Sequence, residues 1–384
     1  MNNLFDSCPE RHSTESLKWQ KYGPGVLPMW VADMDFLSPE PVRLALRKRV
    51  EHGIFGYAGE VPELKNAIVD WLKDHYNWSV ASQDILFLPG VVTGFNLVVS
   101  AFLGNQEGIV FQTPAYPPFF HISGNFDLIQ EETALVQNPE GSYAIDFDQF
   151  ETAFTDRTRM FLLCNPQNPT GRVFSRKELE KMAEISLRNK VLICSDEIHC
   201  DLVYRGHKHI PIASLDTEIA QNTITLMAPS KTFNIAGLEF SFAIVQNPEL
   251  RNQLETGRKD LVGHGNILGL AASLAAYRDG QPWLTELLTY LEGNRDFLYD
   301  YICKRMPGIR MAKPEGTYLS WLDCRDLQLP GNPHQFFLEK AKVSMNNGDN
   351  FGKGGSGFVR LNFGCPRQML QEGLQRMEQA IEAL

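Results

Sequence analysis

No CxxC pair, no long apolar run and no basic excess occur in this chain. Seven cysteines, Cys8, Cys164, Cys194, Cys200, Cys303, Cys324 and Cys365, form an odd, scattered set, which excludes a disulfide framework. Several sit in strand-like runs such as RMFLLC and KVLIC, so they are expected to be reduced core residues of a cytoplasmic protein. No apolar run approaches the ~18 residues of a membrane span. The opening MNNLFDSCPERHS lacks an apolar signal core, so neither secretion nor a membrane is expected. Lys and Arg number 36 against 46 Asp and Glu, a net charge of −10. That balance argues against a nucleic-acid or anionic-membrane partner, because phosphate neutralisation needs clustered cations. Repeats, low-complexity stretches and Gly/Ser linkers are absent, so any domains pack directly on one another.

What is present is a chain of 384 residues, long enough for two or three domains of about 150 residues each. At that size a core needs neither disulfides nor metals. From about 51 to 280, short apolar runs alternate with helical patterns. ILFLP (85–89) leads into GFNLVVSAFL, GIVFQ (108–112) into TPAYPPFFHI, and RMFLLCN (159–165) into a loop and SRKELEKMAEISLRN. In the last segment Ser175 and Glu178 form a capping-box signature. KVLICSDE, NTITLMAPSK and FSFAIVQN follow. This alternation predicts an α/β domain over 51–280 with a mostly parallel sheet between helices. Residues 281–384 change character: a long amphipathic helix broken near Gly293, strand candidates TYLSWLD and GFVRLNFG, and a closing helix from Arg367. With 1–50 they are expected to form a smaller α+β domain.

Polar residues gather where these strands end, the edge at which open α/β sheets bind ligands. GVVTG (90–94) after ILFLP is either a plain turn or a helix N-terminus offering free N–H groups to a phosphate. NPQNPTG (165–171) is a Pro-constrained loop carrying the Asn165 and Asn168 amides. Asp196 ends one buried run, where an unpaired carboxylate is costly and calls for a cation. Lys231 ends another, where desolvation lowers an amine's pKa. A phosphate turn, an amide loop, a buried acid and a buried lysine together suit an aldehyde cofactor with a phosphate tail and a basic ring nitrogen. Lys231 would hold the aldehyde as a Schiff base, and Asp196 would keep the ring nitrogen protonated.

The run SDEIHCDLVY…APSKTFNIAGL, with NPQNPTG upstream, resembles the fold-type I pyridoxal-phosphate enzymes of the aminotransferase class I/II group. The segments PMWVADMDF and GFVRLNFGCP resemble the cystathionine β-lyase, or C–S lyase, branch. The resemblance implies a seven-stranded, mostly parallel sheet, pyridoxal 5′-phosphate as cofactor, an amino-acid substrate and a homodimer. It assigns Lys231 to the Schiff base and, as its acid–base centre, to the α-proton. Asp196 falls to the ring nitrogen, Asn168 to the ring hydroxyl and Tyr116 to the ring face. Val91, Val92 and Ser230 match the phosphate ligands, and Tyr57 matches a residue completing the neighbouring subunit's site, near phosphate and substrate. Arg360 matches the arginine that forks onto the substrate carboxylate.

Two positions depart from the wider aminotransferase pattern. Glu239 stands where many transaminases carry a phosphate-binding Arg, and His199 stands where they carry Tyr, beside the cofactor. Both favour β-elimination from an S-substituted L-cysteine, releasing thiol, pyruvate and ammonia. An aminotransferase on the same scaffold is the alternative, and a regulatory protein keeping an unused pocket is a third reading. The aromatics of MWVADMDF are either core or, at Trp30 with Ala32, the lining of the substrate mouth. His207 and His209 are read as exposed loop histidines rather than a metal pair, and no metal is expected. GKGGSG (352–357) is read as a turn delivering Arg360.

Overall fold

A computed structural model describes residues 4–384. Apolar, β-rich runs bounded by Gly, Pro and Asn supply the strands. Apart from the short antiparallel pair Val136–Gln137 and Tyr143–Ala144, they are in chain order β1 (Leu27–Pro28), β2 (Ile85–Leu88), β3 (Gly108–Thr113), β4 (Ile129–Ala134), β5 (Thr158–Cys164), β6 (Leu192–Asp196), β7 (Thr223–Met227) and β8 (Ser241–Ile244). β9 (Leu319–Asp323), β10 (Val343–Ser344), β11 (Asn346–Asn347) and β12 (Phe358–Asn362) follow. The helices of ten or more residues are α1 (Glu40–Glu51), α2 (Pro62–Tyr76), α3 (Val91–Phe102), α4 (Pro117–Phe126), α5 (Arg176–Arg188), α6 (Pro248–Gly257), α7 (Ile267–Asp279), α8 (Gln281–Arg305) and α9 (Arg367–Glu382).

Seven strands form one sheet in the order β2-β8-β7-β6-β5-β3-β4. Only β8 runs antiparallel to its neighbours. β2, β5, β6 and β7 therefore end on the same edge. The pleat sorts the apolar residues by period two. Ile109, Phe111, Leu162, Cys194 and Leu226 pack with Phe95 and Val98 of α3 on one face. Val110, Phe161, Leu163 and Ile193 pack with Leu179, Met182 and Ile185 of α5 on the other. With both faces covered, β6 and β7 are buried throughout, and apart from Thr223, Thr225, Ser195 and the terminal Asp196 their residues are apolar. α3 lies so close to the sheet that a Cβ on Gly94 would stand 3.1 Å from Leu226 and 3.2 Å from Leu88.

The capping box at α5 forms as its sequence implies. The Ser175 N–H donates to Glu178 Oε2 at 2.8 Å, and the Glu178 N–H returns to Ser175 Oγ at 3.4 Å. β9, β12 and β11 make a separate antiparallel sheet, and β1 pairs in parallel with β10, tying residues 27–28 to 343–344. α1 instead packs against α7. One expectation fails here: α8 runs unbroken through Gly293. The bare glycine lets Arg367 approach, with Nη2 at 3.3 Å from where a Cβ would be, and Arg367 Nε donates to Asn294 Oδ1 at 2.8 Å. No helix of the described residues is long and apolar enough to cross a membrane.

Candidate active site

The carboxyl edge of the large sheet opens into a cavity of about 240 Å³. β2 turns through Pro89-Gly90 into α3, and the first backbone bond at that end joins the Gly94 N–H to the Gly90 carbonyl at 2.8 Å. The amides of Val91, Val92 and Thr93 precede it and have no partner within the helix. All three residues line the cavity, as does Ser230. Free N–H groups at the positive end of a helix, joined by a hydroxyl, suit a phosphate.

Asp196 closes β6 and lines the same cavity. Its Oδ1 accepts the Ile198 N–H at 3.1 Å, and no Lys or Arg of the described residues pairs with it. Burial pushes its carboxyl up to about 7. The Glu197 charge adds to the rise, while the Ile198 bond and Lys231 oppose it. Lys231 sits in the short helical turn Pro229–Thr232 that follows β7. Its Nζ donates to the Ala32 carbonyl at 2.7 Å, an oxygen that also accepts from Tyr318 Oη at 3.0 Å. Burial lowers the ammonium to about 8. Arg360 helps, and Asp33 and Asp196 resist.

Arg360 projects from β12 and is buried. Nη1 donates to Asn168 Oδ1 at 2.8 Å, and Nη2 donates to Asn346 Oδ1 at 2.7 Å and to the Trp30 carbonyl at 3.2 Å. The guanidinium carbon lies 5.0 Å from the Phe351 ring centre, and Nε is buried without a partner. Every partner is neutral. Burial accordingly lowers the group to about 10, opposed by Tyr116 and Tyr318. Because Arg360 takes the Asn168 oxygen, the amide keeps its NH2 as donor; both Asn168 and Tyr116 line the cavity.

His199 completes that wall. Burial, with Lys231 and Arg360 near, pushes its imidazole down to about 3, and Nδ1 is buried without a partner. The ring is neutral. A donor cup, an acid lacking a cation and an amine of lowered basicity therefore meet at one opening, and Arg360, a cation lacking an anion, stands behind its wall on Asn168. That set fits pyridoxal 5′-phosphate: a phosphate for the cup, a ring nitrogen for Asp196, a hydroxyl for Asn168 and an aldehyde for Lys231. The unpaired Arg360 is left for a carboxylate.

The family model for aminotransferase class I and II matches residues 26–377. The chain belongs to that family. Among its curated members, the chain is 41% identical to "Cystathionine beta-lyase PatB" of Bacillus subtilis (strain 168), covering 98% of this chain and 99% of that one. It is 34% identical to "Protein MalY" of Escherichia coli (strain K12), with 99% of both chains covered. The crystal structure of cystalysin from Treponema denticola, which contains a pyridoxal 5′-phosphate cofactor, superposes with a TM-score of 0.95 at 33% identity over all of both chains. Pyridoxal phosphate is the cofactor of this class I and II family, and the fold is the one its members share.

Other residues stand differently from the cluster. Trp30 reaches the site through its carbonyl; its ring packs on Tyr22, under the Lys21 ammonium at 4.2 Å, while Ala32 lines the cavity. Tyr57 is fully exposed, on a stretch outside any helix or strand between α1 and α2, and does not reach this cavity. Glu239 lines the cavity in a left-handed conformation, φ 46°. The reading of His209 as an exposed loop residue is corrected: it is buried, with Nε2 2.8 Å from Glu197 Oε2. The described residues hold no cluster suited to a metal.

Three residues were not legible as part of the site. Tyr318 holds Ala32 and stands edge-on to His199 at 5.9 Å. Asn234 and Asn362 hold the 31–36 segment: Asn234 donates to the Met34 and Phe36 carbonyls, Asn362 to those of Val31 and Asp33. Asn362 carried a faint signal, a polar residue two positions after Arg360 on a buried strand.

Proposed function

We propose that this chain is a carbon–sulfur β-lyase that cleaves cystathionine or related S-substituted L-cysteines to a thiol, pyruvate and ammonia. The observation that carries it is a cavity lysine brought down to about 8 beside a buried arginine that is bonded to the cavity's Asn168 and whose partners are all neutral. The name of the Bacillus subtilis relative, a cystathionine beta-lyase, supports the lyase over the transaminase.

Bound pyridoxal phosphate supplies an electron-accepting ring conjugated to the substrate nitrogen. The α3 N-terminus and Ser230 hold its phosphate, and Asp196 holds a proton on the ring nitrogen. Asn168, fixed by Arg360, donates to the ring oxygen, and Tyr116 covers the ring face. Arg360 forks onto the α-carboxylate and so fixes which α-substituent faces Lys231. Lys231 Nζ takes the α-proton, a task suited to an amine that is partly free at neutral pH. The Cβ–S bond then breaks with its electron pair on sulfur, and the thiolate takes up a proton as it leaves. The released three-carbon enamine hydrolyses in water to pyruvate and ammonia. Tyr57, exposed on its own chain, is assigned to the phosphate of a second copy, so the working form is a homodimer.

The test is pyruvate release from L-cystathionine by the purified yellow protein with no 2-oxo acid present. Sustained turnover supports the lyase. A single stoichiometric bleaching of the cofactor band, restored by a 2-oxo acid, would replace it with an aminotransferase. No spectral change would point to a protein that keeps the pocket unused.

A further inference from the structure

Beside Asp196 lies a second buried acid that the reaction above does not use. Asp196 and Glu197 are consecutive at the end of β6, so their side chains leave opposite faces of the strand. Asp196 lines the cavity; Glu197 does not. Glu197 is wholly buried and takes three donors. Ser195 Oγ at 2.8 Å and the Ile212 N–H at 3.2 Å reach Oε1, and His209 Nε2 at 2.8 Å reaches Oε2. No Lys or Arg of the described residues pairs with it.

The other ring nitrogen decides the state of His209. Nδ1 stands 3.5 Å from Asn165 Nδ2. Asn165 Oδ1 is engaged by the Phe174 N–H at 3.1 Å, which fixes the amide and turns its NH2 toward the ring. Nδ1 is then an acceptor, and the single ring proton sits on Nε2, donated to Glu197. His209 is neutral and Glu197 carries the charge. Around them stand Tyr76, edge-on to His209 at 5.4 Å, and Asp201, which accepts from Trp71 at 2.9 Å and Thr232 at 2.7 Å. Cys200, whose thiol burial pushes well up, adds no charge. Toward the cavity are Asp196 and Lys231. Asp196 and Glu197 thus stand side by side with Lys231 acting on Asp196, and the Glu197 charge raises the proton affinity of Asp196.

We propose that Glu197 and His209 are positioning residues for the cofactor's ring nitrogen: His209, held as its Nε2–H tautomer by Asn165, keeps Glu197 ionised, and that buried charge works through Asp196 to strengthen the proton on the ring. The inference rests on the cofactor reading but not on which bond the enzyme cleaves.

The experiment compares binding of pyridoxal 5′-phosphate with its 1-deaza analogue, in which CH replaces the ring nitrogen, to the full chain. The wild type is expected to prefer the parent cofactor. Glu197→Gln should narrow that preference by about tenfold, the equivalent of one unit of ring-nitrogen proton affinity. The pH at which the bound cofactor's visible band changes should fall with it. His209→Gln, which still donates, should keep the preference, and His209→Leu should narrow it by no more than Glu197→Gln does. An unchanged preference in Glu197→Gln overturns the proposal, as does an equal loss of affinity for both molecules. If Glu197→Gln fails to fold, an unchanged preference in His209→Leu is equally decisive. Failure of the wild type to cleave a C–S bond would overturn the proposed function while leaving this affinity ratio readable.

Discussion

Arg360 Nη1 donates to Asn168 Oδ1 across 2.8 Å, joining the last strand of the small antiparallel sheet to the loop after β5. One contact thereby sets two orientations, the free edge of the guanidinium and the NH2 of the amide. Arg360→Lys removes the fork and the Asn168 bond while keeping the charge. It should lower kcat/KM for S-substituted cysteines about 100-fold, within the ~1.5 to 3 kcal/mol typical of a lost hydrogen bond to a charged group. Most of the loss should fall in KM, read from initial pyruvate rates at varied substrate.

Lys231 offers a check that needs no substrate. Burial lowers its ammonium to about 8, so the cofactor-free chain should present a free amine well below the ordinary lysine range. Labelling of Lys231 by an amine-selective reagent, followed by peptide mass spectrometry, should rise through a midpoint near pH 8. A midpoint above 10 would remove the basis for its role as base. Lys231→Ala should release no pyruvate at any pH.

The buried Asp196 makes a prediction about stability. Burial pushes its carboxyl up to about 7 in the folded chain, against 3.8 for an unburied aspartate. Between those values the folded state binds more protons than the unfolded state, so this group's contribution to stability falls as pH rises from about 4 to 7. The difference of about three units corresponds to at most about 4 kcal/mol. Asp196→Asn should therefore melt higher than wild type at pH 8 without cofactor, with the gap closing toward pH 4. Paired melting curves of the cofactor-free proteins across that range measure it.

How much of this was readable beforehand depended on how local the cause was. β6 and β7 are covered on both faces, so each is a mostly apolar run without charge until its end, and an ionisable residue there stands out. Lys231 and Asp196 were visible for that reason, and the capping box was visible because its two halves lie three residues apart. Partners distant in sequence were not. His209 looks like a loop histidine until Glu197, twelve residues away, is seen to accept from it. Gly293 looks like a helix break until Arg367 is seen filling its face. Asn234 braces Met34 across 200 positions, and no period or spacing encodes that.

At Glu239 sequence and site are in tension. The residue lines the cavity that also holds the α3 N-terminal amides, and no described side chain pairs with its carboxylate. A phosphate bound on those amides brings like charge into the same opening, which costs affinity. Glu239→Gln removes the charge with little change of shape and should tighten pyridoxal phosphate binding severalfold, about 1 kcal/mol for one partly solvated pair. The gain should be largest at low ionic strength and shrink in salt, because the opening is not sealed from water. Its left-handed backbone, φ 46°, is retained by Gln, so the comparison isolates charge. Equilibrium dialysis at two salt concentrations reads the result, and unchanged affinity at low salt would mean the carboxylate turns away from the phosphate once the site is filled.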